Sequence, residues 1–202
     1  MIKSSGLFLN KIHLDLPDCD ITYYPSFIDS KEADSYFKVF MKTIAWRQDD
    51  IKVFGKVYAQ PRLTALYGNN QKSYSYSNIT MQPHEFTTEL LEIKEKIEIG
   101  ANLCFTSCLL NLYRDGKDSN GWHTDNEKEL GENPAIASIT LGQERYFHLK
   151  HRTKKELKHK ILLAHGSLLL MQGKTQHHWL HQIPKTARQV KERINLTFRV
   201  IG

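Results

Sequence analysis

The chain has 202 residues, 40% hydrophobic and 25% charged, with a net charge of +6. That composition supplies one well-buried core and excludes wholesale disorder. No apolar stretch reaches the roughly 18 residues of a membrane span, and residues 1–10 hold too short an apolar run for a secretory signal, so an intracellular chain with no membrane partner is expected.

Along the chain, the first 20 or so residues fit no element and read as a loosely held arm. Residues 29–44 read as a helix, with Asp29 as N-cap, Glu32 as its capping-box partner, and Ala33, Phe37, Phe40, Met41 and Ile44 on one face. Residues 51–82 alternate short β-like runs with turns. Phe86, Leu90, Ile93 and Ile97 mark a second amphipathic helix, ending before Gly100. From Phe105 the pattern is strands, at 105–113, 135–141, 144–150, 160–163, 167–172, 176–183 and 192–201. The expectation is one α+β domain over residues 1–202, a jelly-roll core at 102–202 with the helices packed outside.

Charge and cysteine usage sharpen this. Residues 1–101 carry 12 basic and 13 acidic side chains; residues 102–202 carry 16 and 9, with eight of the ten histidines. Basic charge gathered in one half suits a polyanionic partner such as nucleic acid, and also a basic soluble enzyme. Cys19, Cys104 and Cys108 cannot all pair and lack a zinc-knuckle spacing, so free thiols are expected.

The chemistry begins at His123-Thr124-Asp125. In extended chain, residues i and i+2 project to one side, so an imidazole and a carboxylate can meet one metal ion. His181 is the best third ligand. Two histidines and a carboxylate with open positions form the facial triad of non-haem Fe(II) oxygenases, although His-x-Asp alone is a weak signal. The run Arg193-Ile-Asn195-Leu-Thr197-Phe-Arg199 alternates polar and apolar. It is either a charged edge face or one wall of a cavity for a small dianion, which arginine grips through its planar fork. Asn111 and Tyr113 share a face of 105–113 and could enter the same cavity. An open metal beside a dicarboxylate pocket suits a 2-oxoglutarate-dependent dioxygenase.

These stretches resemble the AlkB family of Fe(II)/2-oxoglutarate-dependent nucleic-acid dealkylases. The similarity is carried by Asn111-Leu-Tyr-Arg-Asp-Gly, His123-Thr-Asp125-Asn-Glu-Lys-Glu-Leu, Ala164-His-Gly-Ser-Leu-Leu, His178-Trp-Leu-His181 and Arg193-Ile-Asn-Leu-Thr-Phe-Arg199, within about residues 45–202. Within the family, the residues resemble those of the second human homologue, which acts on duplex DNA. The resemblance implies His123, Asp125 and His181 as iron ligands, and Asn111, Tyr113, Arg193, Asn195, Thr197 and Arg199 as 2-oxoglutarate contacts. It implies a double-stranded β-helix with a nucleotide-recognition lid at 45–82. The implied reaction uses Fe(II), O2 and 2-oxoglutarate, releases succinate, and removes an N-methyl group from a base as formaldehyde.

It also implies substrate contacts. Phe54, beside Gly55, matches a wedge that fills the gap left by a flipped base; a buried Phe reads the same way. Tyr74 and Tyr76 share a strand face and match a base-stacking pair. Glu127 matches a contact to the base's exocyclic amine, and Arg62 a DNA-contacting arginine. Position 126 is Asn where the duplex-repair homologue has Asp. Residues 150–160 hold six Lys or Arg and one Glu, and Lys154, Lys155 and Lys158 read as a phosphate-gripping hairpin or as a plain solvated turn. The expected function is demethylation of 1-methyladenine and 3-methylcytosine in duplex DNA by a monomer, in a nucleus or a bacterial cytoplasm. The alternatives are an RNA or single-strand demethylase, a protein hydroxylase of the same fold, and an idle nucleic-acid-binding module.

Overall fold

A computed structural model of the chain describes residues 10–53, 55–70, 72, 74–76 and 79–202. In the first half come β1 (Ile12–His13), β2 (Asp20–Tyr24), helix α1 (Ser30–Thr43), β3 (Asp50–Val53), β4 (Lys56–Ala59), β5 (Leu63–Gly68), β6 (Tyr74–Tyr76), β7 (Ile79–Met81) and α2 (Thr88–Ala101). The second half has β8 (Ser107–Tyr113), β9 (Asn120–His123), β10 (Ile136–Gly142), β11 (Arg145–His151), β12 (Lys158–Leu163) and β13 (Ser167–Gln172). A helical turn α3 (Thr175–His178), β14 (Trp179–Ile183) and β15 (Arg193–Arg199) follow.

Two sheets make a jelly roll. The larger has strand order β1-β2-β13-β10-β15-β8-β5 and the smaller β12-β11-β14-β9; β3-β4 and β6-β7 are separate hairpins. Period-2 alternation sorts the large sheet into two faces. Cys108, Leu110, Ala137, Ile139, Leu168, Ile194, Leu196 and Phe198 face α1 and α2 in one apolar cluster. Leu109, Tyr113, Ile136, Leu169 and Met171 face the small sheet's Phe147, Leu149, Leu163, Trp179 and Ile183 in a second. Helices, large sheet and small sheet therefore form three layers, with the helices outside as expected.

Helix α1 starts where its sequence says: the Asp29 carboxylate accepts from the Lys31 and Glu32 backbone N–H groups. Glu32 does not complete a capping box; its carboxylate accepts from Tyr36 Oη and from Lys96. Helix α2 runs past Gly100 and is stopped by Asn102, which takes the left-handed conformation at φ 51°. Strand β9 has no counterpart in the sequence reading, since Asn120-Gly-Trp-His is an edge strand with no clean alternation. The expected strand 176–183 instead begins as the helical turn α3. The N-terminal arm is held from residue 12 onward: β1 pairs with β2, Leu14 is buried, and Trp179 Nε1 donates to the Pro17 carbonyl at 2.9 Å. Among the described residues no helix is long and apolar enough to cross a membrane. All three cysteines are free, and burial pushes the Cys19 thiol up to about 11.

Candidate metal centre

Strands β14 and β9 pair with His181 opposite His123, and the register shifts between His181 and Ile183. Such a bulge bends the strand and re-aims its side chains. Asp125 follows two residues after His123, its backbone N–H held by Gln176 Oε1 of α3 at 2.9 Å. Ligand atoms of His123, Asp125 and His181 consequently lie within 4.8 Å of one another. The two imidazoles meet edge to face at 4.2 Å between centroids, and Phe147 stacks on His181 at 5.1 Å.

The donors are in the right protonation state for a metal. Burial holds both imidazoles below the usual histidine range, His181 at about 3. His123 Nδ1 donates to the Gly121 carbonyl at 2.7 Å, which makes Nε2 the accepting nitrogen; it takes the Asn120 Nδ2 amide at 3.1 Å, the contact that a metal ion on Nε2 would replace. Burial alone would raise the Asp125 carboxyl. Arg199, with Nη2 at 2.6 Å from Oδ1, and the two histidines outweigh that and keep it below the carboxylate range. Two neutral imidazoles and one carboxylate fit a divalent, oxygen-activating metal.

Strand β15 lies between β10 and β8, at the centre of the large sheet, so its polar face is no solvated edge. All seven of its residues are buried. Its odd positions, with Asn111 and Tyr113 of β8, line a cavity that His123, Asp125 and His181 also line. Arg193 is 1% exposed; its Nη2 donates to Thr140 at 2.8 Å, while Nε and Nη1 have no hydrogen-bond partner. Its guanidinium lies 5.2 Å from the Tyr113 ring, and burial lowers its pKa to about 10. A buried cation with two unmet nitrogens, Nε and Nη1, is costly unless an anion meets it, so this end of the cavity fits a carboxylate. Asn195 Nδ2 donates to Ser138 at 2.7 Å and to the Ile139 carbonyl, and Thr197 Oγ1 donates to Asn195.

Several residues here carried no assignment in the sequence. Asn120, Gln176, Ser138, Thr140 and Phe147 all support the site. Only Ser138 and Thr140 left a trace, as polar residues alternating within the apolar run 136–141. Arg62, expected to reach DNA, is 3% exposed in the cavity wall, donating to Asn111 at 2.7 Å and to the Ser119 carbonyl. Glu127 is half-buried two residues past Asp125 and does not line the cavity. Lys154, Lys155 and Lys158 are exposed around the β11–β12 turn, and Lys154 Nζ donates to Asp18 at 2.9 Å. Phe54 lies outside the described residues, as do the side chains of Tyr74 and Tyr76.

A second cluster, Asp18, His151 and His178, also brings three ligand types together. It does not suit a metal. His151 Nδ1 accepts from the backbone N–H of Thr153 and Lys154, so Nε2 carries the ring proton and faces Asp18 at 3.3 Å. The pairing ties the N-terminal segment to the β11–β12 turn.

Residues 20–199 match the family model described as the 2OG-Fe(II) oxygenase superfamily. The chain is 42% identical over 191 residues to the Bos taurus alpha-ketoglutarate-dependent dioxygenase alkB homolog 3, covering 88% of this chain and 64% of the relative. It is 32% identical over 208 residues to the Homo sapiens DNA oxidative demethylase ALKBH2, covering 98% and 78%. The chain spans between 64% and 66% of the length of the homolog 3 relatives. The solved structure of OsALKBH1 superposes with a TM-score of 0.62 at 17% identity, over 95% of this chain and all of that one, a likeness of fold.

Proposed function

Since the chain belongs to the 2OG-Fe(II) oxygenase superfamily, and within it to the AlkB family, we propose that it oxidatively demethylates N-alkylated bases in DNA, duplex included. The favoured substrates are 1-methyladenine and 3-methylcytosine, with 2-oxoglutarate converted to succinate and the methyl group leaving as formaldehyde. The observation that carries this reading is the pairing of the His123, Asp125 and His181 cluster with Arg193 in one cavity.

His123, Asp125 and His181 would hold Fe(II), which when bound supplies the activation of O2. Arg193 would take the distal carboxylate of 2-oxoglutarate, with Tyr113 against its guanidinium. Asn111, Asn195 and Thr197 would orient the co-substrate, and Arg199 would both meet it and hold Asp125. Fixing the co-substrate between the metal and a buried arginine sets where oxidation occurs and keeps water out. The segment 45–82, with Tyr74, Tyr76 and Phe54, would present the extruded base, and Lys154, Lys155 and Lys158 would grip phosphates. This is a monomer working where DNA is, in a nucleus or a bacterial cytoplasm.

An idle binding module would gain nothing from a buried arginine with unmet donors, which supports an enzyme. The test is release of formaldehyde and succinate from matched oligonucleotides carrying 1-methyladenine or 3-methylcytosine, as single-stranded DNA, duplex DNA and RNA. Turnover on RNA alone would move the substrate assignment, and no coupling of succinate to methylated base would end it.

A further inference from the structure

The small sheet has an outer face that the metal centre does not use. Strand β11 buries alternate residues and turns Tyr146, His148 and Lys150 outward. Register places Leu162, Lys160 and Lys158 of β12 opposite them, and Gln182 and Leu180 of β14 opposite His148 and Lys150. Across β14 stands Trp122 on β9. Trp122 is 38% exposed and Tyr146 41%. Lys150 Nζ sits 4.3 Å from the Trp122 ring centroid and Lys160 Nζ 5.4 Å from that of Tyr146. No residue among these nine is acidic. Trp122, His148, Lys150, Lys158 and Lys160 line an open groove of about 510 Å3. A second groove of about 450 Å3, lined by Tyr146, Lys185 and Arg188 and also by Glu144, shares His148 with it.

We infer that this outer face binds a single-stranded stretch of nucleic acid, its bases stacked on Trp122 and Tyr146 and its phosphates met by Lys150, Lys158 and Lys160. Aromatic rings interleaved with cations, with no carboxylate among them, are what an unpaired strand needs, since every base has a stacking face. A duplex has no bare base faces to offer. The face also leads to the chemistry. Residues i and i+1 of a strand point to opposite sides, so Trp122 is outside and His123 inside. Strand β9 is the sheet edge, so one edge strand carries Trp122 on the outer face and His123 on the side of the metal cluster. The inference rests on the dealkylase reading for its substrate, but the binding surface can be tested without turnover.

Of the three tryptophans, Trp179 is buried and Trp46 half-buried, so Trp122 is the exposed reporter. The test titrates the full chain with an unmethylated thymidine 12-mer, an abasic 12-mer with the same phosphates, a 12-base-pair duplex and poly-glutamate, reading intrinsic fluorescence and anisotropy. Base-bearing single strand should quench the fluorescence and bind at least tenfold tighter than the abasic strand. Trp122→Ala and Tyr146→Ala should each weaken it about tenfold, and Trp122→Phe much less. Tyr146, two strands away from His123, guards against an indirect effect on the metal centre. Equal binding of abasic and base-bearing strands, unchanged affinity in both alanine variants, or poly-glutamate matching the 12-mer overturns the inference. On a trinucleotide carrying 1-methyladenine, too short to cross the sheet, the variants should keep turnover, while a methylated 12-mer should lose about tenfold. If the unaltered chain turns over neither, the dealkylase reading fails while the titration still decides the surface.

Discussion

Arg199 and Asp125 are 74 residues apart in the chain and 2.6 Å apart in the fold, Nη2 to Oδ1. Both are almost fully buried, so the contact couples one end of the co-substrate wall to a candidate metal ligand. Arg193, at the other end of the same strand, has no such tie. Arg193→Ala should raise the 2-oxoglutarate requirement by about 2–5 kcal/mol, roughly thirtyfold or more, with metal affinity unchanged. Arg199→Ala should do that and also weaken metal binding about 10–100-fold, as loss of a ligand's supporting partner does. Calorimetric titration of each variant with metal alone and then with 2-oxoglutarate separates the two; equal metal affinity in both would show that Arg199 does not position Asp125.

His123→Ala, Asp125→Ala and His181→Ala should each abolish turnover and lower metal affinity while the chain still folds, because all three line a cavity. Iron content and succinate release measured together check this. A variant that kept more than a tenth of the activity with iron bound would remove that residue from the ligand set.

Phe54→Ala should slow repair of a methylated duplex strongly and of a single strand only slightly, if the ring fills the gap of an extruded base. A core phenylalanine would instead cost roughly 3–5 kcal/mol of stability on truncation and reduce both rates together. Melting temperature and the two rates in this one variant discriminate between the roles.

Replacing Lys154, Lys155, Lys158 and Lys160 by alanine should weaken binding to all sequences alike and reduce the log–log salt slope by ~0.9 for each phosphate that a lysine no longer neutralises. The Lys154–Asp18 pair is exposed and screened by solvent, so it does not prevent Lys154 from meeting a phosphate. An unaltered slope would show that the hairpin stays clear of the backbone.

Asp118 anchors the loop that leads into β9. Its carboxylate accepts from the Arg114 backbone N–H, Nε and Nη2, and its carbonyl from Arg145. Burial raises its pKa, but the Arg114 bonds outweigh that and bring it below 3.8. A folded pKa below the unfolded one stabilises the fold above the unfolded value, and that stability is lost as pH falls through the folded value. Asp118→Asn should therefore cost about 1.5–3 kcal/mol near neutral pH, and the difference from the unaltered chain should shrink below pH ~4. Denaturant unfolding at pH 7 and pH 3 checks it; a gap constant with pH would mean the carboxylate charge is not what holds the loop.

The sequence by itself determined much of this protein. Period-2 alternation in 193–199 and 105–113 identified which residues share a face, because a strand's side chains can only go two ways. The His123-x-Asp125 spacing pointed to two neighbouring donors, although β9 ends at His123 and Asp125 sits in the bend beyond it, and the Asp29 N-cap and apolar stripe of residues 29–44 located α1. What alternation leaves open is what a face meets. Whether Arg193 and Arg199 look into solvent or a cavity depends on β15 lying between β10 and β8, and strand order is not a local property. Arg62 inside the wall, Gln176 under Asp125 and Arg199 on Asp125 are likewise contacts between segments about 50 to 75 residues apart. Local propensity carries no trace of such contacts. They exist because a buried charge or amide must find its partner wherever closure of the two sheets brings one.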